Sequence, residues 1–168
     1  MVSIVDNFLS EEDFKKLQLY MNAAPWIFSD IIDYFGEELD TFMFTHQFFS
    51  TPHLMNDCTS ISPIINKLSV IAMRHIKANL LTRTPAIIEN KFHVDIADLA
   101  DLPEKLKQWT TSIFYVNTNN GYTKFEDGTK VESVANRIIT FPANMKHTGT
   151  SCTDEKIRVV INFNYFSK

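Results

Sequence analysis

The chain has 168 residues, 45% of them hydrophobic, and a formal net charge of -4, which are the size and composition of one folded domain. Only four glycines and six prolines occur, against 14 phenylalanines, so a disordered or collagen-like chain is excluded. The acidic balance, with no block of lysine and arginine, argues against nucleic acid as a partner.

Motif spacing excludes several common kinds of site. The glycines are never closer than seven positions, which excludes a Rossmann dinucleotide motif, a Walker A loop and a serine-hydrolase elbow. Cys58 and Cys152 are isolated, which excludes a zinc ribbon or a C-x-x-C redox pair and suits a reducing compartment. We find no signal peptide and no apolar run of the ~18 residues that a membrane span needs, so we expect a cytoplasmic protein without a membrane partner.

The first half of the chain predicts two helices and a few short strands. A strand is expected over 2–8, and Ser10 then caps a first helix whose apolar residues recur at helical spacing. The aromatic-rich stretch 26–49 is predicted to be irregular, with one or two strands. A second helix is predicted over 60–80, because apolar residues recur there at steps of three and four. The residues of this stripe are Ile61, Ile64, Ile65, Leu68, Ile71, His75 and Ile76.

The second half of the chain predicts strands. After Pro85 the hydrophobic period changes to two, interrupted by a polar segment at 97–108 and by turns at 119–121 and 127–128. Two helices followed by about six short strands predict an α+β fold that is mainly β. In this fold the helices cover the outside of one sheet, and the sheet closes as a barrel or jelly roll.

No linker, repeat or composition shift divides the chain. We therefore predict one domain over 1–168, with helical support from 1–85 and the β core from 86–168.

Three of the predicted strands place polar side chains on one face. They lie at 87–96, 111–117 and 156–165, and the strands at 87–96 and 156–165 have an apolar opposite face. Such a polar face is either a solvent-exposed surface or the lining of a hydrophilic pocket inside a barrel. The polar residues include Glu89, Lys91, His93, Asp95, Tyr115, Asn117, Arg158, Asn162 and Asn164.

A candidate metal site combines one of these strands with a distant histidine. His93 and Asp95 form a His-x-Asp pair, and His147 follows much later in the chain. Two imidazoles and one carboxylate on one face of an ion leave coordination positions open, which is the arrangement of non-haem Fe(II) oxygenases. The open positions accept a chelating cosubstrate and dioxygen.

The segments that carry these residues match the motifs of one family in order. The matching segments are 4–10 (opening strand and cap), 92–95 (H-x-D), 111–117 (T-x-I-x-Y-hydrophobic-N), 121–125 (G-G-x-T-x-F, with Tyr122 at the second glycine) and 136–142 (N-R-x-x-x-F-P). His147 follows the last of them, and Arg158 stands eleven residues further on. The chain thus resembles, almost end to end, the Fe(II)/2-oxoglutarate-dependent dioxygenases of the prolyl 4-hydroxylase-like group.

The resemblance implies a double-stranded β-helix with a cupin-like barrel and defined site residues. His93, Asp95 and His147 would act as metal ligands and catalytic residues, holding Fe(II). The cosubstrate 2-oxoglutarate would chelate the iron, and Arg158 would bind its far carboxylate bidentately with a hydrogen bond from Tyr115.

The resemblance also implies an enzyme and its reaction. The enzyme would use O2, with ascorbate as a reductant, to hydroxylate a C–H bond and release succinate and CO2. A prolyl residue of a peptide or protein is the favoured substrate. The alternatives are a small molecule, a methylated nucleic acid, a different metal in the same fold, and a non-catalytic metal-binding module.

Other residues offer competing interpretations. Arg137 is the rival cation for 2-oxoglutarate, although it lies in a segment that resembles a structural turn. His46, His53 and His75 are interpreted as hydrogen-bonded or exposed histidines and not as ligands. The segment 97–108 is either a lid over the metal or a solvated loop with one helical turn at 103–106.

Overall fold

The computed structural model of the protein describes residues 1–30, 32, 41–51 and 54–167. No helix in these stretches is long and apolar enough to span a bilayer. The helices are α1 (Glu11–Ala23), α2 (Ser62–Lys67) and α3 (Pro103–Leu106), with 3-10 turns at Thr59–Ile61 and Ala97–Leu99. The strands are β1 (Ser3–Val5), β2 (Ile27–Ser29), β3 (Met43–Ser50), β4 (Leu54–Met55), β5 (Val70–Thr82), β6 (Thr110–Tyr115), β7 (Tyr122–Phe125), β8 (Lys130–Glu132), β9 (Arg137–Pro142), β10 (His147–Gly149) and β11 (Ile157–Ser167).

The strands form two antiparallel sheets. The large sheet has the order β1-β9-β6-β11-β5-β3-β2, with β4 paired to β3, and the small sheet has the order β10-β7-β8. Two facing antiparallel sheets with helices outside the larger one form a double-stranded β-helix. The prediction of a mainly β, α+β fold with a closed, jelly-roll-like sheet is therefore confirmed.

The main core lies between the helices and the outer face of the large sheet. Val159, Ile161 and Phe163 of β11 pack in one cluster with Leu17 of α1 and Ile64 of α2. The first helix begins where predicted, because the Ser10 hydroxyl accepts a hydrogen bond from the Asp13 amide at 3.1 Å. The apolar face of β11 is buried against the helices, so its polar face points into the barrel.

The predicted second helix over 60–80 is wrong beyond its first turns. Helix α2 ends at Lys67, Ser69 has a positive φ of 51°, and β5 begins at Val70. From there Ile76 and Ala78 point to the core, while His75, Lys77, Asn79 and Leu81 line the barrel interior. A strand forms here instead of a helix because β11 and β3 both need a backbone hydrogen-bonding partner, and β5 pairs with each of them.

Two other segments differ in detail from the predictions. The segment 87–96 is not a regular strand, since it pairs only through isolated bridges, Glu89 to Thr150 and His93 to His147. The segment 97–108 contains a 3-10 turn and then α3, so the predicted helical turn at 103–106 is confirmed.

Candidate active site

Three potential metal ligands meet at the mouth of the barrel. His93 and His147 form an antiparallel backbone pair, with both N–H···O distances at 3.0 Å, and Asp95 follows two residues after His93. The ligand atoms of the three side chains all lie within 4.8 Å of one another. His147 is 2% exposed, whereas the side chain of His93 is 41% exposed. The structure thus brings together the three residues singled out in the sequence.

The hydrogen bonds of the two imidazoles fix their tautomers. His93 Nδ1 lies 3.1 Å from the carbonyl oxygen of Lys91, and His147 Nδ1 lies 3.2 Å from that of Met145. Because a carbonyl oxygen only accepts, each Nδ1 carries a proton, and in the neutral imidazole, the form that binds a metal, Nε2 therefore presents a lone pair.

The Nε2 atoms face the carboxylate of Asp95. Its Oδ1 lies 3.6 Å from His93 Nε2 and 3.5 Å from His147 Nε2, and the buried His147 Nε2 has no hydrogen-bond partner among the described residues. Three electron-pair donors that face one another repel unless a cation lies between them, so this donor set fits a divalent metal ion.

Two asparagines of β11 orient the carboxylate. Asn164 Nδ2 donates to Asp95 Oδ2 at 3.1 Å, and Asn162 Nδ2 lies 3.3 and 3.4 Å from the two carboxylate oxygens. Thr111 of β6 donates to Asn164 Oδ1 at 2.8 Å and thereby fixes that amide. Burial alone would raise the pKa of Asp95, but hydrogen bonds and charge attraction from His147 and His93, which act in the metal-free protein when the imidazoles are protonated, outweigh it and hold the pKa well below its ordinary range. The carboxylate is therefore ionised and positioned as a ligand.

Arg158 lies at the buried end of the same strand face. It is 2% exposed, its Nε donates to Ser133 Oγ at 2.8 Å, and its Nη2 lies 3.4 Å from Thr123 Oγ1. No acidic side chain pairs with it in the part of the chain that the structure describes. Burial lowers the pKa of this guanidinium, partly offset by Tyr115. A buried guanidinium without a carboxylate partner has the charge and donor groups that would suit an anion.

Tyr115 reaches this anion site through a threonine. Its hydroxyl donates to Thr123 Oγ1 at 2.8 Å, and the Arg158 guanidinium lies 5.8 Å from the centre of its ring. Tyr115 is not among the described lining residues of the cavity, whereas Thr123 is, so the hydrogen bond from Tyr115 to the cosubstrate stays a prediction.

Gly121 and Gly149 make room for the arginine. A Cβ at Gly121 would lie 2.7 Å from Arg158 Cδ, and one at Gly149 would lie 3.4 Å from Arg158 Nη1. Both positions have to be small for the arginine to occupy its present place.

One cavity of about 510 Å³ joins the two ends of the site. Its lining includes the three candidate ligands and Arg158, together with polar residues of β3 and β5. Asn162, which contacts Asp95, and Arg158 are four residues apart on β11, or roughly 13 Å along the strand. This distance leaves room for a five-carbon dicarboxylate between the metal site and the arginine.

The competing residues of the sequence analysis lie elsewhere. Arg137 forms an ion pair with Asp6 at 2.6 Å and does not line the cavity. His46 is buried and bonded to the Tyr20 hydroxyl at 3.1 Å and to a backbone carbonyl. His53 lies outside the described residues.

The position of His75 differs from the one predicted from the sequence. It lies on β5 and not on a helix, and it lines the cavity with its Nε2 3.0 Å from Gln47 Oε1. Burial lowers the pKa of this imidazole.

The sequence analysis assigned no role to several residues that shape the site. Thr123 and Ser133 hold Arg158, and Asn162 and Asn164 hold Asp95. The alternation of β11 could have identified the two asparagines, since they share the polar face with Arg158. No local signal identifies Ser133, because its hydrogen bond with Arg158 forms only when the small sheet packs against the large one.

Comparison with known proteins places the fold. No protein-family model matches the chain, and no curated protein matches it. The chain is similar in structure to a prolyl hydroxylase from Trichoplax adhaerens solved with a hypoxia-inducible-factor peptide, at 12% identity and a TM-score of 0.66, over 99% of this chain and 83% of that one.

Two further solved structures are similar. One is a 2OG-Fe(II) oxygenase family oxidoreductase from Burkholderia pseudomallei, at 9% identity and a TM-score of 0.69, over 98% of this chain and 85% of that one. The other is the non-haem alpha-ketoglutarate-dependent carbocyclase SnoK of nogalamycin biosynthesis, at 12% identity and a TM-score of 0.69, over 99% of this chain and 79% of that one. The chain therefore has the fold of the 2-oxoglutarate/Fe(II) oxygenases.

Proposed function

We propose that this protein is an Fe(II)- and 2-oxoglutarate-dependent oxygenase that hydroxylates a C–H bond. His93, Asp95 and His147 would hold the iron, and Arg158 would bind the C5 carboxylate of 2-oxoglutarate. One observation carries the proposal: a single cavity connects the three-residue cluster to a buried arginine that has no acidic partner in the described part of the chain.

Arg158 suits the distant carboxylate of such a cosubstrate. A guanidinium removed from water is costly unless an anion pairs with it. Ser133 takes the Nε–H, so the two terminal nitrogens remain to grip a carboxylate as a planar fork. The missing side chain of Gly149 leaves space next to Nη1. Thr123 supplies a hydroxyl group at the same end of the cavity, and Tyr115 supports it from behind with a hydrogen bond.

The remaining residues hold the reactants in place. When bound, Fe(II) and 2-oxoglutarate would supply the oxidative chemistry, in which substrate C–H, 2-oxoglutarate and O2 give C–OH, succinate and CO2. Asn162 and Asn164 would keep Asp95 aligned, and the carbonyls of Lys91 and Met145 would keep the imidazole lone pairs directed at the ion.

We propose a prolyl residue as the target. The motif resemblance supports this choice, and so does the structural similarity to a prolyl hydroxylase solved with a peptide. A small-molecule target is the second candidate, because the similarity to the carbocyclase of nogalamycin biosynthesis is as high.

Calorimetry under argon tests the proposed function. The protein loaded with Mn(II) should bind 2-oxoglutarate, and Arg158→Leu should weaken that binding by about 2 to 4 kcal/mol, the usual cost of removing one partner of a desolvated charge pair. Arg137→Leu is the matched control and should change the affinity little, since Arg137 is paired with Asp6 outside the cavity. Absence of 2-oxoglutarate binding by the metal-loaded wild type would contradict the proposal.

A further inference from the structure

The cavity has a second polar wall that the site described above does not use. It is formed by the inner faces of β3 and β5 beside β11, where Gln47, Lys77 and Asn162 lie side by side. The next row along the sheet contains Thr45, Asn79 and Val160. Polar side chains in this number are unusual for the interior of a barrel, where each one needs a hydrogen-bonding partner.

Lys77 is the charged residue of this wall. It is half-buried, and it makes no ion pair or hydrogen bond within the described part of the chain. Burial lowers the pKa of its ammonium, and the nearby Asp95 only partly compensates. The carboxylate of Asp95 contacts two histidines and two asparagines, and it forms no ion pair with Lys77.

Two amide oxygens of the wall are also unsatisfied. Asn79 Oδ1 and Asn162 Oδ1 are buried and accept no hydrogen bond among the described residues. The orientation of Asn162 is determined, because its Nδ2 has to face the Asp95 carboxylate. Both oxygens are closed off from solvent, so a ligand in this part of the cavity meets the ammonium of Lys77 and not these acceptors.

The anion for Lys77 is not the one proposed for Arg158. Lys77 pairs with Asn162 across the sheet, whereas Arg158 pairs with Leu81, so the two cations are about 13 Å apart along the strands. Lys77 is thus level with the metal-binding end of the cavity, where a substrate has to lie. Among the described lining residues, Lys77 and Arg158 are cations without an ion pair and Asp95 is the acidic one, so this part of the cavity favours anions although the whole chain is acidic.

We propose, on the basis of the function proposed above, that Lys77 recognises a carboxylate of the primary substrate. A carboxylate fits better than a phosphate, because one lysine without an arginine fork or a helix N-terminus balances a single negative charge. The carboxylate can belong to a free amino or hydroxy acid or to an acidic side chain next to the target residue of a peptide.

Paired acids and amides test this inference. The probes are L-proline and L-prolinamide, the other common amino acids with their amides, and blocked peptides in which proline precedes Asp or Asn. Binding is measured by calorimetry under argon on the full chain loaded with Mn(II) and 2-oxoglutarate, and succinate is measured with Fe(II) in air. At least one acid or Asp peptide should bind about tenfold or more tightly than its amide or Asn partner, as expected for one partly desolvated charge pair. Preference for the free acids would identify a small molecule, and preference for the Asp peptide would identify a peptide.

Variants of Lys77 connect this preference to the residue. Lys77→Met should remove the preference for acids over amides, and Lys77→Arg should restore most of it. Both variants should bind 2-oxoglutarate within about twofold of the wild type, because Arg158 is far away along the sheet. Lys16→Met is the control, since Lys16 is exposed on α1 and paired with Glu12.

The outcomes separate the two proposals. If the wild type binds 2-oxoglutarate but no acid is preferred over its amide, the inference about Lys77 is wrong and the oxygenase proposal stands. Loss of 2-oxoglutarate binding in Lys77→Met would likewise overturn the inference, because Lys77 would then serve the cosubstrate. If the wild type binds no 2-oxoglutarate at all, the proposed function fails first.

Discussion

Replacing Gly121 by alanine perturbs the buried arginine through packing alone. The added Cβ would lie 2.7 Å from Arg158 Cδ, 2.7 Å from the Ser151 carbonyl oxygen and 2.8 Å from Asn119 Oδ1. Carbon atoms in contact prefer about 3.5 to 4.0 Å, so the first distance is short by about 1 Å. The Ser151 oxygen is held by the chain and accepts from Thr150, which leaves the arginine side chain as the part that moves.

Gly121→Ala should lower both the stability of the fold and the affinity for 2-oxoglutarate. Overpacking of this kind destabilises the fold by about 1 to 3 kcal/mol. Displacement of the guanidinium should also weaken 2-oxoglutarate binding to the Mn(II)-loaded protein by about 2 kcal/mol, or about 30-fold. Urea unfolding measures the loss of stability and calorimetry the loss of affinity.

Two other glycines provide graded controls. A Cβ at Gly128 meets nothing within 4 Å, although its φ of +88° makes alanine strained, so Gly128→Ala should lower stability by about 1 kcal/mol and leave 2-oxoglutarate affinity unchanged. A Cβ at Gly149 lies at 3.4 Å from Arg158 Nη1, so Gly149→Ala should affect ligand binding more than stability. Wild-type stability and 2-oxoglutarate affinity in Gly121→Ala would refute this account of how the arginine is held.

Further predictions concern the metal ligands and their supports. His147→Ala should abolish succinate release and tight Mn(II) binding, because two remaining ligands hold a divalent ion poorly, and full turnover would disprove the assignment. Asn164→Ala should leave the fold intact and weaken Mn(II) binding by about 10- to 100-fold, the usual effect of removing a group that orients a ligand. Calorimetry measures this Mn(II) affinity. Tyr115→Phe should weaken 2-oxoglutarate binding by only about 0.5 to 1.5 kcal/mol, the worth of one neutral hydrogen bond, again by calorimetry. In the metal-free protein the pKa of Asp95 is depressed, so its ionised form stabilises the fold above about pH 4 and this contribution disappears as the pH falls through the lowered pKa. Urea unfolding of the wild type and of Asp95→Asn should therefore converge in acid, and a difference independent of pH would contradict the prediction.

Part of the site could be predicted because its determinants are local. His93 and Asp95 are two residues apart, so any extended conformation directs both side chains to one side, even though the segment is not a regular strand. Arg158 could be placed inside the barrel for the same reason, since strict alternation along β11 separates a polar face from an apolar one.

The second helix shows where local pattern fails. The helical stripe holds from Ile61 to the end of α2 at Lys67, and Ile71, His75 and Ile76 continue it by coincidence, while residues 75–80 alternate polar and apolar as a strand does. Local propensity does not decide between a helix and a strand for this segment. It becomes a strand because β11 and β3 have backbone donors and acceptors that only a strand can satisfy.

The fold class, the three candidate metal ligands and the arginine could be predicted from the sequence, because alternation and motif spacing are visible along the chain. Which residues support them depends on the tertiary structure. Lys77 lies next to Asn162 because of the register between β5 and β11, and Ser133 reaches Arg158 because the small sheet faces the large one. Such contacts depend on strand pairing between residues far apart in the chain, and a shift of register by one position would turn Lys77 to the opposite face of the sheet.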